Sequence, residues 1–166
     1  MLTGSMAAAV HGAGRATLDI DLVIEATAAQ LHVLVASLTG PEHYVSDEAA
    51  MDAIAHESMF NVVELHTGWK ADLIIRKSRP FSESEFARRQ AVEFDGIQLW
   101  VATLEDMIIA KLEWARMGGS ARQIEDVARL LRVAGDEIDE AYVSGWIDQL
   151  GLAAQWQSAR NVGNEP

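Results

Sequence analysis

The chain contains no cysteine and few basic residues. Because none of its 166 residues is Cys, it can form neither a disulfide framework nor a Cys-based zinc site. Lys and Arg number 13 against 25 Asp and Glu, a formal net charge of −12. Broad binding to nucleic acid depends on clustered cations, so this acidity disfavours it. A small basic pocket for a single phosphate group remains compatible with the charge.

Long apolar runs are also absent. No segment reaches the roughly 18 apolar residues of a membrane-spanning helix, and no basic residue precedes the first apolar stretch as in a signal peptide. We therefore expect a cytoplasmic protein with no membrane partner. The five His residues lack the helix-borne spacing of metal ligands, and the five Trp residues are scattered. We expect the His side chains to be non-ligands and the Trp side chains to be core or interface anchors.

What the chain does have is apolar residues, 49% of the total, enough for a sizeable core in one domain. Their spacing predicts an α+β (α/β) fold: a mixed sheet flanked by helices over 1–102, and a helical extension over 103–160 packed on it as one unit. Strands are predicted at 1–3, 18–24, 60–66, 70–75 and 97–102. Helices are predicted at 5–10, 28–38, 47–56, 82–90, 103–117, 120–133 and 139–150.

Local signals place several of these boundaries. Ser82 and Ser120 each open a capping-box pattern, which predicts that a helix begins there. The turn at Thr67-Gly68 predicts a hairpin between two of the strands. Residues 161–166 are expected to form a loose tail.

Two acidic residues, Asp19 and Asp21, flank Ile20 in a segment that alternates acidic and apolar residues. On a strand both carboxylates lie on one face and the apolar residues on the other. Mg²⁺ prefers oxygen ligands and is typically held by one or two carboxylates plus substrate phosphates. Asp72 is the candidate for a third carboxylate, because a lone acid in an apolar strand is costly unless it is paired or metal-bound. The alternative is that Asp19 and Asp21 are solvated acids of an edge strand.

Gly4-Ser5 precedes this pair and is a candidate phosphate-binding turn. Glycine lets backbone N–H groups approach an anion closely, and the N-terminus of the helix predicted to follow favours negative charge. The Ser5 hydroxyl adds a donor, and Arg15 is a candidate to reach a phosphate. The alternatives are that Ser5 is a helix N-cap and Arg15 a surface charge.

The order Gly4-Ser5, Arg15, Asp19-Ile20-Asp21 resembles the nucleotidyltransferase (DNA polymerase β-like) superfamily. The resemblance is closest to the minimal bacterial group that includes the AbiEii-type toxin nucleotidyltransferases. The pattern of that family is Gly-Ser, a short gap and Asp-X-Asp, with a third Asp on a later strand. Asp72 matches the third position.

A second segment extends the resemblance. Residues 102–112, followed by Arg122 and Asp126, are similar to the AbiEii-like segment in which a helix Lys, here Lys111, precedes an Arg/Asp pair. The resemblance covers roughly residues 2–133. It implies a nucleotidyltransferase-like sheet domain that moves a nucleoside monophosphate from an NTP to a hydroxyl on RNA, protein or a small molecule.

The resemblance also implies roles for individual residues. Lys111 would neutralise phosphate charge, with Arg122 and Asp126 orienting Lys111 or the substrate. The alternatives are that Lys111 is a helix-surface charge paired with Asp106 or Glu113, and Asp126 a packing acid. The implied metal ligands, for Mg²⁺ or Mn²⁺, are Asp19, Asp21 and Asp72. The implied catalytic residues are the same three acids and Lys111. The implied nucleotide- or phosphate-binding residues are Gly4, Ser5, Arg15, Arg122 and Asp126.

One departure from the family pattern concerns the start of the chain. Relatives carry a helix and a full strand before the Gly-Ser turn, whereas three residues precede Gly4 here. One expectation is that a partner chain supplies that element. The partner would be a second copy of this chain or another protein, such as a toxin–antitoxin partner. The alternative function is a non-catalytic binding or regulatory module of the same fold. A metal-dependent phosphohydrolase ranks last, because the sequence has no obvious His-Asp metal doublet.

Overall fold

The computed structural model describes residues 1–163, which contain a seven-stranded mixed sheet and eight α-helices. The α+β fold class expected from the sequence is confirmed. The elements up to residue 94 are β1 (Leu2–Thr3), α1 (Gly4–Val10), β2 (Asp19–Ile24), α2 (Ala28–Leu38), β3 (His43–Val45), α3 (Asp47–His56), β4 (Met59–Glu64), β5 (Lys70–Ile75), α4 (Pro80–Ala87) and β6 (Gln90–Phe94). The later elements are β7 (Ile97–Val101), α5 (Leu104–Gly118), α6 (Ala121–Ala134), a 3₁₀ turn (Gly135–Glu137), α7 (Glu140–Leu150) and α8 (Ala153–Gly163).

Capping side chains and glycines set several helix ends. Thr27 begins α2 in a capping box: its hydroxyl accepts the Gln30 N–H at 3.3 Å, and the Gln30 side-chain oxygen accepts the Thr27 N–H at 2.8 Å. The Thr103 hydroxyl caps α5, and Gly119 ends that helix in the left-handed conformation, with φ of 60°. These signals fix the span of α5, the helix that borders the candidate site.

The sheet has the strand order β3-β4-β5-β2-β1-β7-β6. Two neighbouring pairs, β2–β5 and β1–β7, are parallel, and the others are antiparallel. The predicted hairpin is confirmed as β4–β5, and the Glu64 carboxylate stabilises its turn by accepting the N–H groups of His66 and Thr67 at 2.8 and 2.7 Å. The parallel pairing of β2 with β5 places residues 19–24 beside residues 70–75.

Two hydrophobic clusters hold the sheet and helices together. The smaller one packs α2 and α3 against β4 and β5, with Phe60 almost fully buried. The larger one joins Leu2 and Val101 of the sheet segment to Ile109 and Val127 of the helical segment. Each fully buried side chain of this size contributes roughly 1.5–3 kcal/mol. The larger core therefore crosses the segment boundary expected at residue 102.

The helix predicted at 82–90 is wrong in its bounds. Helix α4 begins at Pro80, which suits the first position because proline has no N–H to leave unpaired. Ser82 does not cap it; its hydroxyl is buried and accepts a hydrogen bond from Arg79 Nε at 3.0 Å. Gln90 begins strand β6 instead of ending the helix. Ser120 does occupy the N-cap position of α6, but its side chain makes no capping hydrogen bond.

Two strands, one α-helix and the 3₁₀ turn were not predicted: β3, β6, α8 and residues 135–137. Residues 161–163 belong to α8, so the loose tail expected from 161 onward is wrong there, and residues 164–166 lie outside the described part of the chain. Among residues 1–163, none of the helices combines the length and apolarity that crossing a bilayer requires.

Candidate active site

Four side chains form a row across one face of the sheet. Asp21 on β2 lies directly opposite Asp72 on β5, Asp72 lies opposite Asn61 on β4, and Asp21 lies opposite Thr3 on β1. Residues in register on neighbouring strands point to the same face, with Cβ atoms roughly 4.5–5.5 Å apart. Asp19 lies two residues from Asp21 and so shares that face. The fold therefore brings the three predicted carboxylates into one neighbourhood.

Gly4 lies against the carboxylate of Asp21. Its φ of 64° is in the left-handed region, which favours glycine, and a Cβ built at this position would overlap Asp21 Oδ2. Ser5 follows it, buried, in helix α1. Because α1 has seven residues, its dipole is small. Close backbone approach is therefore the main contribution of Gly4, and any strong attraction for an anion would have to come from neighbouring cations.

The carboxylate of Asp21 lies near charges of both signs. Partial burial raises the pKa of its carboxyl above the ordinary value, and the like charges of Asp72 and Asp19 raise it further, while Lys111 and Lys70 oppose the rise. No group in residues 1–163 forms a hydrogen bond with this carboxylate. A cation or a hydrogen-bond donor placed here would relieve the repulsion.

Asp72, in contrast, has partners on both oxygens. Asn61 Nδ2 donates to its Oδ1, and Lys70 Nζ donates to its Oδ2 at 3.0 Å. The same ammonium group lies 3.5 Å from Asp19 Oδ1. Asp72 is 10% exposed and Asp19 54% exposed, so Lys70 joins a nearly buried acid to a solvated one.

Lys111 enters the site from helix α5. Its buried ammonium group donates to Asp126 Oδ2 at 2.8 Å and to Gln123 Oε1 at 3.2 Å. Arg129 also pairs with Asp126, and Arg15 Nε lies 3.7 Å from the same carboxylate. Although burial opposes ionisation of Asp126, hydrogen bonds from Lys111 and Arg129 lower its pKa. Asp126 therefore gathers three cations at one edge of the site.

This arrangement decides between the alternatives left open for Lys111. Its partner is neither Asp106 nor Glu113 but Asp126. Asp106 pairs with Arg88, and Glu113 pairs with Arg79. Lys111 is thus a buried cation bordering the carboxylates, not a charge on the helix surface.

A cavity of about 260 Å³ collects most of these groups. Its polar part is lined by Thr3, Gly4, Ser5, Arg15, Thr17, Asp19, Asp21, Asp72, Lys111 and Gln123. Its apolar part is lined by Met59, Ile74, Met107, Ala110 and Trp114. The cavity thus suits a ligand that carries both several negative charges and a planar ring. Charged side chains could contact the first, and an indole the second.

The structure does not bring Arg122 to the cavity. Arg122 is exposed near the start of α6, and its neighbour Gln123 lines the cavity instead. Asp126 does not line it either, and acts through Lys111 and Arg15. No His is among the described residues that line this cavity.

Lys70, Asn61 and Trp114 are among the residues of the site that sequence reasoning missed. Lys70 stands two residues before Asp72, so strand periodicity alone places both on one face. Trp114 stands three residues after Lys111, which is the spacing of neighbours on a helix face. Its side chain is half-exposed at 51%, so of the expected roles, core or interface anchor, the core role does not hold for Trp114. Only Asn61 needed the antiparallel register, which the sequence does not reveal.

The three carboxylates share a cavity without forming a ready-made metal cage. Among residues 1–163, no three His, Asp or Glu side chains are grouped closely enough to hold one metal ion. The Lys70 ammonium lies between Asp19 and Asp72. The donor chemistry of Asp19 and Asp21, carboxylate oxygens on a partly open face, does fit a divalent cation such as Mg²⁺.

Comparison with known proteins adds no relative to this picture. The chain matches no protein-family model, and it matches no curated protein sequence. Any functional conclusion for this chain rests on the residues and geometry of the cavity.

Proposed function

We propose that the chain is a metal-dependent nucleotidyltransferase that moves a nucleoside monophosphate from an NTP to a hydroxyl group of an acceptor. The observation that carries the proposal is the in-register pairing of Asp21 with Asp72, with Gly4 against Asp21 and Lys111 in the same cavity. Residues far apart in the chain thereby supply carboxylates, a close backbone approach and a buried cation at one place.

The charges in the cavity suit a triphosphate carried by a cation. Arg15 and Lys111 supply positive charge, and the buried Arg15 Nε has no hydrogen-bond partner among residues 1–163. A phosphate oxygen beside Arg15 would satisfy that donor, since buried donors without partners are costly. Gly4 would let a phosphate approach the backbone closely. The half-exposed indole of Trp114 would stack on the base or on a ring of the acceptor.

The metal would be held by Asp19 and Asp21. Bound there, Mg²⁺ or Mn²⁺ would neutralise charge on the phosphates and orient them. Lys111 would stabilise the charge that develops on the phosphates. Asp72 would accept the proton of the acceptor hydroxyl. Asp126 would position Lys111 without touching substrate, since it does not line the cavity.

The reaction balances with these groups. The acceptor oxygen forms a bond to the α-phosphorus, and the bond between the α-phosphorus and the bridging oxygen of pyrophosphate breaks. Pyrophosphate leaves with that electron pair, and the acceptor proton passes to Asp72. The transferred group is thus the nucleoside monophosphate.

Calorimetric titration with ATP, CTP, GTP and UTP, each with Mg²⁺, tests the proposal. We expect at least one nucleotide to bind, and Asp19→Ala with Asp21→Ala to abolish the metal-dependent part of that binding. The double variant Asp136→Ala with Asp148→Ala removes the same charge from exposed positions and should bind normally. A folded wild-type chain that binds none of the four nucleotides would contradict the proposal.

A second candidate function is a non-catalytic binding or regulatory module. The observation that favours it is the ion pairing of Lys70 with Asp19 and Asp72, which satisfies acids that an enzyme would leave free for metal. Expression in a bacterial host separates the two functions. Growth inhibition that Asp21→Asn relieves supports the enzyme, whereas nucleotide binding that Asp21→Asn leaves unchanged supports the module.

A further inference from the structure

Lys70 is the only residue among 1–163 whose ammonium group pairs with two of the three site carboxylates. It lies directly opposite Asp19 on the neighbouring strand and two residues before Asp72 on its own strand. Asp19, Asp21, Lys70 and Asp72 thus form the corners of a quadrilateral on one sheet face, with three negative charges and one positive charge. Lys70 stands diagonally across from Asp21.

The ammonium group lies between the carboxylate of Asp19, one of the two proposed metal ligands, and the carboxylate of Asp72. Its Nζ is 3.0 Å from Asp72 Oδ2 and 3.5 Å from Asp19 Oδ1. Asn61 donates to the second oxygen of Asp72, so both oxygens of that carboxylate already have a donor. A cation that arrives here meets a competing positive charge and a carboxylate already engaged.

The side chain of Lys70 is also free to leave. It is 36% exposed, and a flexible four-carbon stem carries its charge. A lysine ammonium is a compact, strongly hydrated point charge with rotatable donors, so it can exchange a carboxylate partner for a phosphate partner. Lys70 is therefore well suited to occupy the site reversibly.

We propose that Lys70 is a built-in counter-ion that keeps the carboxylates from capturing a free divalent cation, and that it turns from Asp72 to the phosphates when metal and nucleotide arrive together. This inference rests on the proposed function, because it concerns the same site. The triphosphate supplies the negative charge that Lys70 needs on leaving the carboxylates. A free metal ion offers no such compensation.

The consequence is strong positive coupling between metal and nucleotide. By thermodynamic linkage, a nucleotide that raises the affinity for metal is itself bound more tightly in the presence of metal, by the same factor. Lys70 enlarges that factor by weakening the binding of metal alone. Removing its charge should tighten the binding of free metal and leave a smaller coupling.

The experiment measures binding of Mn²⁺ alone to the full chain, by loss of the electron paramagnetic resonance signal of free Mn²⁺. Lys70→Met keeps the length of the side chain and removes its charge. We expect it to bind Mn²⁺ at least about tenfold more tightly than wild type, as Coulomb's law gives for a divalent ion roughly 6 Å from a single charge even at the dielectric constant of water. Lys70→Arg should leave the affinity within about twofold of wild type, because the charge is retained.

Lys77→Met is the matched control. It removes the same charge from an exposed position beyond the end of β5, where the lysine pairs with none of the three site carboxylates. A gain in Mn²⁺ affinity in Lys70→Met no larger than that in Lys77→Met would overturn the inference. If Lys70→Met folds poorly, Lys70→Gln is used and the rise in melting temperature with added Mn²⁺ is compared with wild type.

The outcomes also separate this inference from the proposed function. Nucleotide binding by wild type, with no gain of Mn²⁺ affinity on removal of the Lys70 charge, overturns the inference alone. A gain of Mn²⁺ affinity without nucleotide binding by any of the proteins supports Lys70 as a counter-ion and contradicts the nucleotidyltransferase. Absence of Mn²⁺ binding in wild type and Lys70→Met alike, together with absence of nucleotide binding, overturns both.

Discussion

Asp106 and Asp21 are both drawn out of water, yet their surroundings are opposite. Asp106 on α5 is fully buried and receives hydrogen bonds from the Thr103 hydroxyl and the Tyr142 hydroxyl, each at 2.6 Å, and from Arg88 Nε at 3.2 Å. Asp21 is less buried, has no hydrogen-bond donor among residues 1–163 and faces two other carboxylates. One acid is surrounded by partners and the other by like charges.

The comparison separates an acid that stabilises the fold from an acid whose surroundings suit the binding of a cation. The partners of Asp106 come from three parts of the chain, since Arg88 follows α4 and Tyr142 lies on α7, so the acid ties those segments to α5. Burial, followed by the hydrogen bond to Asp106, raises the pKa of Tyr142 to about 12. Asp21 contributes no such tie. Its repulsion opposes folding, and the cation site proposed above would account for its place.

The largest expected effect comes from breaking the Asp106 network. Asp106→Ala leaves Arg88, Tyr142 and Thr103 without their shared acceptor, and we expect it to lower the free energy of unfolding by about 3–5 kcal/mol. Urea denaturation followed by circular dichroism measures this change. Asp136→Ala, at an exposed position in the 3₁₀ turn, serves as the control and should cost less than about 0.5 kcal/mol. Equal losses of unfolding free energy in the two variants would show that the hydrogen bonds to Asp106 do not stabilise the fold.

The complementary change, Asp21→Asn, should affect binding and spare stability. Relief of repulsion from Asp19 and Asp72 should raise the free energy of unfolding by up to about 1 kcal/mol at pH 7, a figure reduced for solvent screening because Asp21 is partly exposed. Loss of a metal-binding charge should weaken metal-dependent nucleotide binding by about 100-fold. Calorimetry and urea denaturation on the same samples measure both quantities. A variant that is destabilised by several kcal/mol would show that Asp21 is a structural acid after all.

Glu85 is a third acid for this comparison. It is buried, but it lacks the set of hydrogen-bond donors that surrounds Asp106, and it lies outside the cavity that holds Asp21 and the other two carboxylates. Burial raises the pKa of its carboxyl to about 8, with Asp106 and Glu113 adding to the rise and Arg79 opposing it. Because the folded state holds this proton more tightly than the unfolded state, whose value is near 4.5, stability should fall as pH rises from about 4.5 to about 8.

Glu85→Gln removes that titration. At pH 9 we expect the variant to be more stable than wild type, by on the order of 2 kcal/mol, and at pH 4 to be nearly equal to it. Melting temperatures across this pH range provide the measurement. Parallel pH profiles for the two proteins would show that Glu85 does not titrate in the folded state as described.

The smallest effect is expected at Trp114. Trp114→Ala should weaken nucleotide or acceptor binding by about tenfold through loss of stacking, and change the free energy of unfolding by less than about 0.5 kcal/mol because the indole is half-exposed. Trp100→Ala is the control, since Trp100 is 49% exposed on β7 and does not line the cavity. If the two variants bind nucleotide equally, no ring of the ligand stacks on Trp114 in the apolar part of the cavity.

Much of the site could be predicted from local spacing. The alternation around Asp19 and Asp21 places both acids on one strand face, and the lone acid Asp72 among apolar residues correctly suggested a neighbour on another strand. The partner of Asp72 on the hairpin, Asn61, could not be found in this way. It depends on the register of β4 with β5, which turn geometry and packing decide together.

The errors in the fold have similar causes. At residues 80–90, the Ser82 pattern predicts a helix start, although Pro80 fits the first helical position better. Strand β6, beginning at Gln90, is short and largely exposed, so its residues carry little hydrophobic alternation. Strand β3 spans three residues, too few to show a period. Whether such short segments form strands depends on pairing with a neighbouring strand, which the sequence does not reveal.

The parallel pairing of β2 with β5 also has a kinetic consequence. Asp21 and Asp72 are 51 positions apart in the chain, so the step that joins the two strands closes a long loop and comes at a high entropic cost. At neutral pH the same step brings three carboxylates together. Since burial and the like charges of Asp72 and Asp19 raise the pKa of Asp21, loss of its charge favours the paired strands, and the carboxylates oppose the assembly of the sheet on which they depend.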